Sequence, residues 1–367
     1  MTIKRITLWH IALTSHVAYH MGGGKSCETV ETVVVRLEAE SGLAGFGEVC
    51  PIPHYLPAYA RGVVPAVEEM ADVILGADCI GPEALMTRLD RHLPGHAYAK
   101  SAIDIALWDL LGKAAGLPLY VLLGGRQTSR LPLYHSISCL APDVMAEMAL
   151  EAKAEGIRQF QVKLGADRDW QADVARLREV RAAVGPGPLV YGDWNCGAER
   201  LDATRVGRAV ADLDVMLEQP CSSLDDCAAV RAATGLPMKI DENAFDAASL
   251  LRAHDLGCMD AVALKLSKFG GLSALRRARD LCCHLGAKMC IEDCWGSDIA
   301  TATALHLATA TPADKVLNVC DLSGYVTPRI DPNGPSRQGG MITPPDGPGI
   351  GLDIDIDRLG EPVAVYT

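Results

Sequence analysis

The chain of 367 residues carries a formal net charge of −12, with 49% hydrophobic and 22% charged residues. That length exceeds one small core and suits a barrel of roughly 200–250 residues plus a smaller domain. The acidic balance argues against a nucleic-acid partner, whose phosphates need a basic surface, and no apolar run approaches the ~18 residues of a membrane span.

The opening segment, Met1 to His20, mixes Lys4, Arg5, His10 and His16 with apolar residues in strand-like alternation. It lacks a continuous apolar core and a small-residue cleavage site, so a cytoplasmic protein is expected. Strands are predicted over 3–12 and 30–48, where Val33, Val34, Val35 and Leu37 precede a turn at Ser41-Gly42. Helical periodicity follows over 62–76, 83–92 and 98–116, and Gly116-Leu117-Pro118 stops the last helix. Strands followed by helices make a separate α+β unit, and Leu122-Leu123-Gly124-Gly125 reads as the hinge out of it.

The rhythm then changes to short apolar strands alternating with helices. Eight strands are predicted, at Leu133–Ser138, Gln159–Gly165, Leu189–Asn195, Asp214–Pro220, Met238–Asn243, Ala261–Ser267, Lys288–Asp293 and Leu317–Asp321, starting every 23 to 30 residues. Seven to eight regular βα units imply an α/β fold of the closed (β/α) TIM-barrel type. An open doubly wound sheet would show a Gly-rich nucleotide turn after its first strand, and none is there. The predicted organisation is an α+β domain over 1–125, a barrel carrying the active site over 126–325, and a Pro- and Gly-rich segment over 326–367 returning to the first domain. Thirteen cysteines are scattered with no C-x-x-C pair. They read as small buried hydrophobes in a reducing compartment rather than as a zinc or redox site.

Active sites of such barrels lie at the C-terminal ends of the strands. Strand 2 ends with Lys163, strand 3 with Asp193 and Asn195, and strand 4 with Glu218. Strand 5 ends with Asp241 and Glu242, strand 6 with Lys265, and strand 7 with Glu292 and Asp293. Asp193, Glu218 and Asp241 thus come from three consecutive strands at one height, with spacings of 25 and 23 residues. An all-oxygen set on a rigid rim suits a hard cation, Mg²⁺ by default and one per site. Strands 2 and 6 are opposite in an eight-stranded barrel, so Lys163 and Lys265 are expected to face each other across that ion. A carboxylate substrate held there would present its α-carbon to both amines, and Mg²⁺ would spread the charge left when the α-proton departs. Two ammonium groups buried opposite each other would be costly for stability alone, which favours a catalytic role.

These stretches resemble the enolase superfamily, in the muconate-lactonizing-enzyme subgroup, along the whole chain. The matching residues are Ser101 through Asp109, Gln161-Val162-Lys163, Asp193-Trp194-Asn195, Glu218-Gln219-Pro220, Asp241-Glu242, and Lys265 with Gly270-Gly271. The resemblance implies a capping domain over a barrel, Asp193, Glu218 and Asp241 as metal ligands, and Lys163 and Lys265 as the acid/base pair. One departure is Gln161, where the subgroup usually has the first lysine of Lys-x-Lys; it is expected to hydrogen-bond the substrate.

Within the subgroup the chain is similar to enzymes acting on proline derivatives, the cis-3-hydroxy-L-proline dehydratases and the hydroxyproline betaine 2-epimerases. The cues are Gly95 through Lys100, Glu218 through Cys221, Glu292 through Ile299, and Leu359 through Ala364. Asp321 through Tyr325 leans to the dehydratases, and no Trp follows Trp295 to cage a quaternary nitrogen. The expected reaction is α-proton abstraction from a proline-type imino acid, ending in dehydration or 2-epimerisation. A dipeptide epimerase would be expected to carry Asp-x-Asp after strand 7, where Glu292-Asp293-Cys294 stands. A mandelate-racemase-type enzyme would place a His on strand 7, and none lies between His284 and His306.

Further substrate contacts are expected from Asn195, Asp293, Tyr55 in a loop over the site, and Lys25 in the glycine-rich lid His20 to Lys25. Trp295 is expected either to pack in the barrel or to form a platform for the ring. Gly24-Lys25-Ser26 is not a phosphate loop, because Tyr19 stands where the required first glycine would be. A small-molecule substrate, no nucleic-acid or membrane partner, and a homo-oligomer complete the expectation.

Overall fold

The computed structural model describes residues 1–53, 56–167 and 169–367. Ile3–Met21 and Lys25–Ala39 form a long antiparallel ribbon, and Ala44–Val49 adds a third strand beside the second. The first strand runs nine residues past its predicted end at 12. Beyond Leu13 the hairpin arm exposes most of its residues and the apolar alternation fades; backbone pairing with Lys25–Thr29 and the few buried side chains, Tyr19 and Met21 among them, hold it. The predicted lid is thus the hairpin tip, a turn at Gly22–Gly24 between paired Met21 and Lys25.

Helices Val63–Ile74, Pro82–His92 and Ala97–Ala115 cover one face of this sheet, within two residues of their predicted limits. The third is buried along nearly its whole length because it lies between sheet and barrel. The sheet meets it at two glycines: a Cβ on Gly45 or Gly47 would come 2.2 and 1.8 Å from the carbonyl oxygens of Ala106 and Ala102. On its barrel side, Asp104 accepts hydrogen bonds from Ser273 N and Oγ, and Trp108 Nε1 donates to Ser273 Oγ at 2.8 Å.

The barrel strands are His135–Ile137, Gln159–Lys163, Leu189–Asp193, Met216–Glu218, Met238–Ile240, Ala261–Lys265, Lys288–Glu292 and Val316–Val319, parallel and in sequential order. A parallel bridge between Leu133 and Val319 joins the first to the last. Most strands are shorter than predicted. Asn195, Asn243 and Ser267 lie beyond the ladders, because the chain turns outward once its carboxylate or amine has been delivered. The tail divides its contacts. Val326–Thr327 and Ala364–Tyr366 extend the antiparallel sheet through Thr14–Ser15 and Ile6–Leu8, whereas Ser336–Gln338 and Met341–Thr343 form a hairpin on Leu131–Pro132.

All thirteen cysteines are free thiols and eleven are buried, as expected of small core residues. Among the described residues, no helix is long and apolar enough to cross a membrane.

Candidate active site

Lys163, Asp193, Glu218, Lys265 and Glu292 are each the last residue of a barrel strand, and Asp241 is the first residue after one. Their common height is not a matter of simple register. Lys163 pairs with Asp193 and Asp193 with Glu218, but Glu218 pairs with Lys239, two residues before Asp241. Ala261 likewise pairs with Lys239, which sets Lys265 two residues beyond the position opposite Asp241. Strands tilted in a closed eight-stranded barrel must stagger by about one residue per strand. Two offsets of two residues across these strands restore a level rim.

Lys163, Lys265 and Asp241 line one cavity with Gln161, Tyr134, Ser136 and Glu292. Tyr19, Leu322, Tyr325 and Trp295 form its apolar wall. Lys163 Nζ lies 2.5 Å from Asp193 Oδ2 and 3.1 Å from Asn195 Oδ1. Lys265 Nζ lies 2.7 Å from Asp241 Oδ2 and 3.9 Å from Glu292 Oε1. Asp241 Oδ1 takes a second ammonium, Lys268 Nζ, at 2.7 Å. Burial opposes ionisation of Asp241, and the charges of Lys265 and Lys268 outweigh it, holding the carboxyl well below its usual range.

Asp193 and Glu218 are fully buried. Glu218 Oε1 meets Lys239 Nζ at 3.0 Å, and Lys239 is itself sealed inside the barrel against the Tyr134 and Tyr191 rings. Burial pushes Glu218 up to about 8; Lys239 opposes this, and the Asp193 and Asp241 charges add to it. Burial and the same two carboxylates push Glu242 up to about 7. Three residues here have left-handed backbones unusual for non-glycines, Asn195 at φ 47°, Cys196 at φ 65° and Gln219 at φ 31°. Strain of this kind gathers where strand ends must aim side chains inward. Asn195 then ties Asp193 Oδ2 to Glu242 Oε1, at 3.1 and 3.2 Å.

Other expected contacts divide. Asp293 lines the cavity, with Oδ1 accepting from Ser267 N and Oγ and from Cys294 N. Burial, opposed by the Ser267 hydroxyl, pushes it up to about 6. Trp295 both lines the cavity and packs in a small apolar cluster, its ring edge-on to Tyr19 at 5.5 Å. Lys25 does not line the cavity; Nζ reaches the Asn195 carbonyl at 3.4 Å, and Gly23 N donates to Gly165 O, so the hairpin tip is seated on the barrel rim. Tyr55 lies outside the described residues.

Sequence reading missed Tyr134 just before the first strand, Ser136 on it and Lys239 on the fifth. The period-two alternation that places Gln161 and Lys163 inward would have found all three. Tyr19 carries no comparable signal, since a hairpin arm reaches the barrel only through the tertiary fold.

The donor set fits a hard cation by chemistry and charge. Formally, six carboxylates (Asp193, Glu218, Asp241, Glu242, Glu292, Asp293) face four ammonium groups (Lys163, Lys239, Lys265, Lys268), a deficit one divalent ion would cancel. Glu242 Oε2 is buried without a hydrogen-bond donor among the described residues. The Gln161 amide bridges two of the three expected ligands, Asp193 and Glu218, but among the described residues no three acidic, His or Cys side chains converge to hold a metal. Here the carboxylate oxygens turn instead to ammonium groups and to the Gln161 amide.

Residues 6–124 match the mandelate racemase / muconate lactonizing enzyme N-terminal domain, and residues 144–358 match the enolase C-terminal domain-like family. The chain is 41% identical, over the full length of both, to a cis-3-hydroxy-L-proline dehydratase from Roseibium aggregatum. It is 26% identical to an N-succinyl-L-Arg/Lys racemase from Bacillus cereus, over 98% of each chain. A mandelate racemase/muconate lactonizing enzyme-type structure from Roseovarius nubinhibens, complexed with magnesium, superposes with a TM-score of 0.95 at 31% identity, covering all of both chains. With two opposed lysines on a rim of strand-end carboxylates, and with both family domains matched, this chain is an enzyme of the enolase superfamily, in its mandelate racemase/muconate lactonizing branch.

Proposed function

We propose that this enzyme removes the α-proton of a proline-type imino acid, with cis-3-hydroxy-L-proline dehydrated as the principal reaction. The observation that carries the reading is that Lys163 and Lys265 enter one cavity from strands on opposite sides of the barrel. The full-length similarity to a cis-3-hydroxy-L-proline dehydratase supports the substrate.

Asp193, Glu218 and Asp241 would hold one magnesium ion, with Glu242 beside them. The bound ion supplies Lewis acidity that lowers the energy of the deprotonated substrate. One lysine amine takes the α-proton, and the electron pair moves into the carboxylate. In the cis-3-hydroxy isomer the hydroxyl shares a ring face with the carboxylate, so it lies opposite the α-hydrogen. The second lysine therefore stands on the hydroxyl's face. As an ammonium it gives up a proton when the C3–O bond breaks, so that water leaves and a C2–C3 double bond remains. A substrate without that hydroxyl takes the proton at Cα instead, which inverts C2. That outcome is 2-epimerisation, the same proton chemistry that racemase relatives' names describe.

The apolar wall of Tyr19, Trp295, Leu322 and Tyr325 suits the methylene side of a five-membered ring, while Asp293 suits contact with the ring nitrogen.

The test is incubation with magnesium and cis-3-hydroxy-L-proline in deuterated water, followed by NMR. Loss of the 3-hydroxyl, or deuterium at Cα of proline or 4-hydroxyproline, is expected. No exchange with any hydroxyproline or proline betaine overturns the reading. Chelation should abolish the reaction and added Mg²⁺ restore it.

A further inference from the structure

Every polar group of Ser136 is engaged. Its carbonyl accepts from Tyr19 Oη, a residue of the long hairpin arm. Its N–H donates to Tyr325 Oη at 3.2 Å, on the segment following the last barrel strand. Its hydroxyl donates to Gln161 Oε1 at 2.6 Å across directly paired strand positions. Ser136 and Gln161 are both buried.

The last bond decides which way the Gln161 amide points. With Oε1 committed to the serine hydroxyl, Nε2 is turned to the far side. There it donates to Asp193 Oδ2 at 3.0 Å and to Glu218 Oε2 at 2.8 Å. The reversed amide would set a carbonyl oxygen against oxygens of Asp193 and Glu218, two side chains already facing the amines of Lys163 and Lys239 as acceptors. One amide nitrogen thus pins one oxygen from each of two adjacent strand ends, and the pinned Glu218 oxygen is the one that Lys239 leaves alone.

We infer that Ser136 is a positioning residue for the divalent-ion site. It orients Gln161 so that the amide holds Asp193 and Glu218 side by side before the ion arrives. Gln161 then acts first on the carboxylates rather than on the substrate. This inference rests on the proposed ion site. Its energetic basis is preorganisation: like-charged carboxylates that repel each other in a dry site are held at one spacing by a neutral donor.

The experiment measures Mg²⁺ binding by calorimetry for the unaltered protein, S136A, Q161M and the double variant, with circular dichroism to confirm folding. Each single variant should weaken binding about tenfold, the range for groups that orient metal ligands. The double variant should bind no more weakly than Q161M, because the serine acts only through the amide. S136T, which keeps the hydroxyl, should bind as the unaltered protein does. Unchanged affinity in S136A, or losses that multiply to about a hundredfold in the double variant, would overturn the inference while leaving the ion site standing. If S136A does not fold, S136C, a near-isosteric weak donor, carries the same expectation. Absence of Mg²⁺ binding to the unaltered protein would remove the ion site and this inference together.

Discussion

Lys163 and Lys265 share one cavity, yet each is paired with a different carboxylate, Asp193 at 2.5 Å and Asp241 at 2.7 Å. The two amines thus stand on separate walls of the cavity. The stereochemistry of the substrate then becomes a probe of the arrangement. The trans-3-hydroxy isomer puts its hydroxyl on the same face as the α-hydrogen, away from the second lysine. It should therefore exchange its α-proton but lose water at least ~10²-fold more slowly than the cis isomer, the usual worth of one positioned acid. Comparing the two isomers by NMR checks this; equal dehydration rates would refute the opposed-amine geometry.

Lys265→Ala should abolish turnover, by about 10³-fold or more, without unfolding the protein. The Asp241 carboxylate keeps Lys268 at 2.7 Å, so it is not left as an unpaired buried charge. Activity and the thermal midpoint, measured together, decide the matter. A variant that turns over normally would remove Lys265 from the mechanism.

Gly22 is held by contact rather than by backbone conformation. A Cβ there would come 1.7 Å from the Trp194 carbonyl oxygen, a backbone atom that cannot swing aside. Gly22→Ala should lift the hairpin tip from the rim, raise KM and lower stability by about 1–3 kcal/mol. Gly24 faces open space at φ 72°, so Gly24→Ala should lower stability by only ~1 kcal/mol through backbone strain. Steady-state kinetics of both variants would show whether the seating of the tip, rather than glycine content, matters to substrate binding.

Glu48 joins the antiparallel sheet to the barrel. Its fully buried carboxylate accepts from Ser297 N and Oγ, Ala300 N and Thr32 Oγ1, at the start of helix Asp298–Thr309. That helix follows the loop carrying Asp293 and Trp295. Glu48→Gln replaces one acceptor by an amide facing donors, which should lower stability by about 2 kcal/mol. It should also change the near-ultraviolet signal of Trp295, read against Trp295→Phe. An unchanged spectrum with full stability would show that the clamp is dispensable.

His306 should make stability fall on acidification. Its Nδ1 accepts from Tyr120 N at 3.3 Å and its Nε2 donates to Ile350 O at 3.1 Å, a pattern only the neutral ring satisfies. Burial pushes it down to about 4 from an ordinary value near 6.5. The folded state therefore binds this proton less readily than the unfolded chain. Its contribution is complete above pH ~6.5 and is lost as pH falls towards 4, by about 3 kcal/mol in all. Asp104, pushed up to about 6 mainly by burial, works in the opposite sense, adding stability as pH falls from 6 towards its unfolded value. The readout is accordingly the difference between the unaltered protein and His306→Gln across pH 4–7. A difference that does not vary with pH would contradict the neutral assignment.

The barrel, its strand count and the residues at its rim were legible in the sequence because each depends on local pattern. Strand and helix periods recur every 23 to 30 residues, and a period of two points Gln161 and Lys163 the same way. Asp193, Glu218, Asp241 and the two lysines follow from reading strand ends. What lay beyond the sequence depends on contacts between distant segments. Tyr19 reaches Ser136 across 117 positions, and Glu48 reaches Ser297 across 249. Local periodicity holds no record of such separations. Nor does it fix which carboxylate oxygen meets an ammonium and which meets an amide, since that follows from the stagger of a closed barrel and from side chains arriving from three segments at once. The sequence alone determined which chemical groups stand at the rim; only the tertiary structure decided what each of them touches.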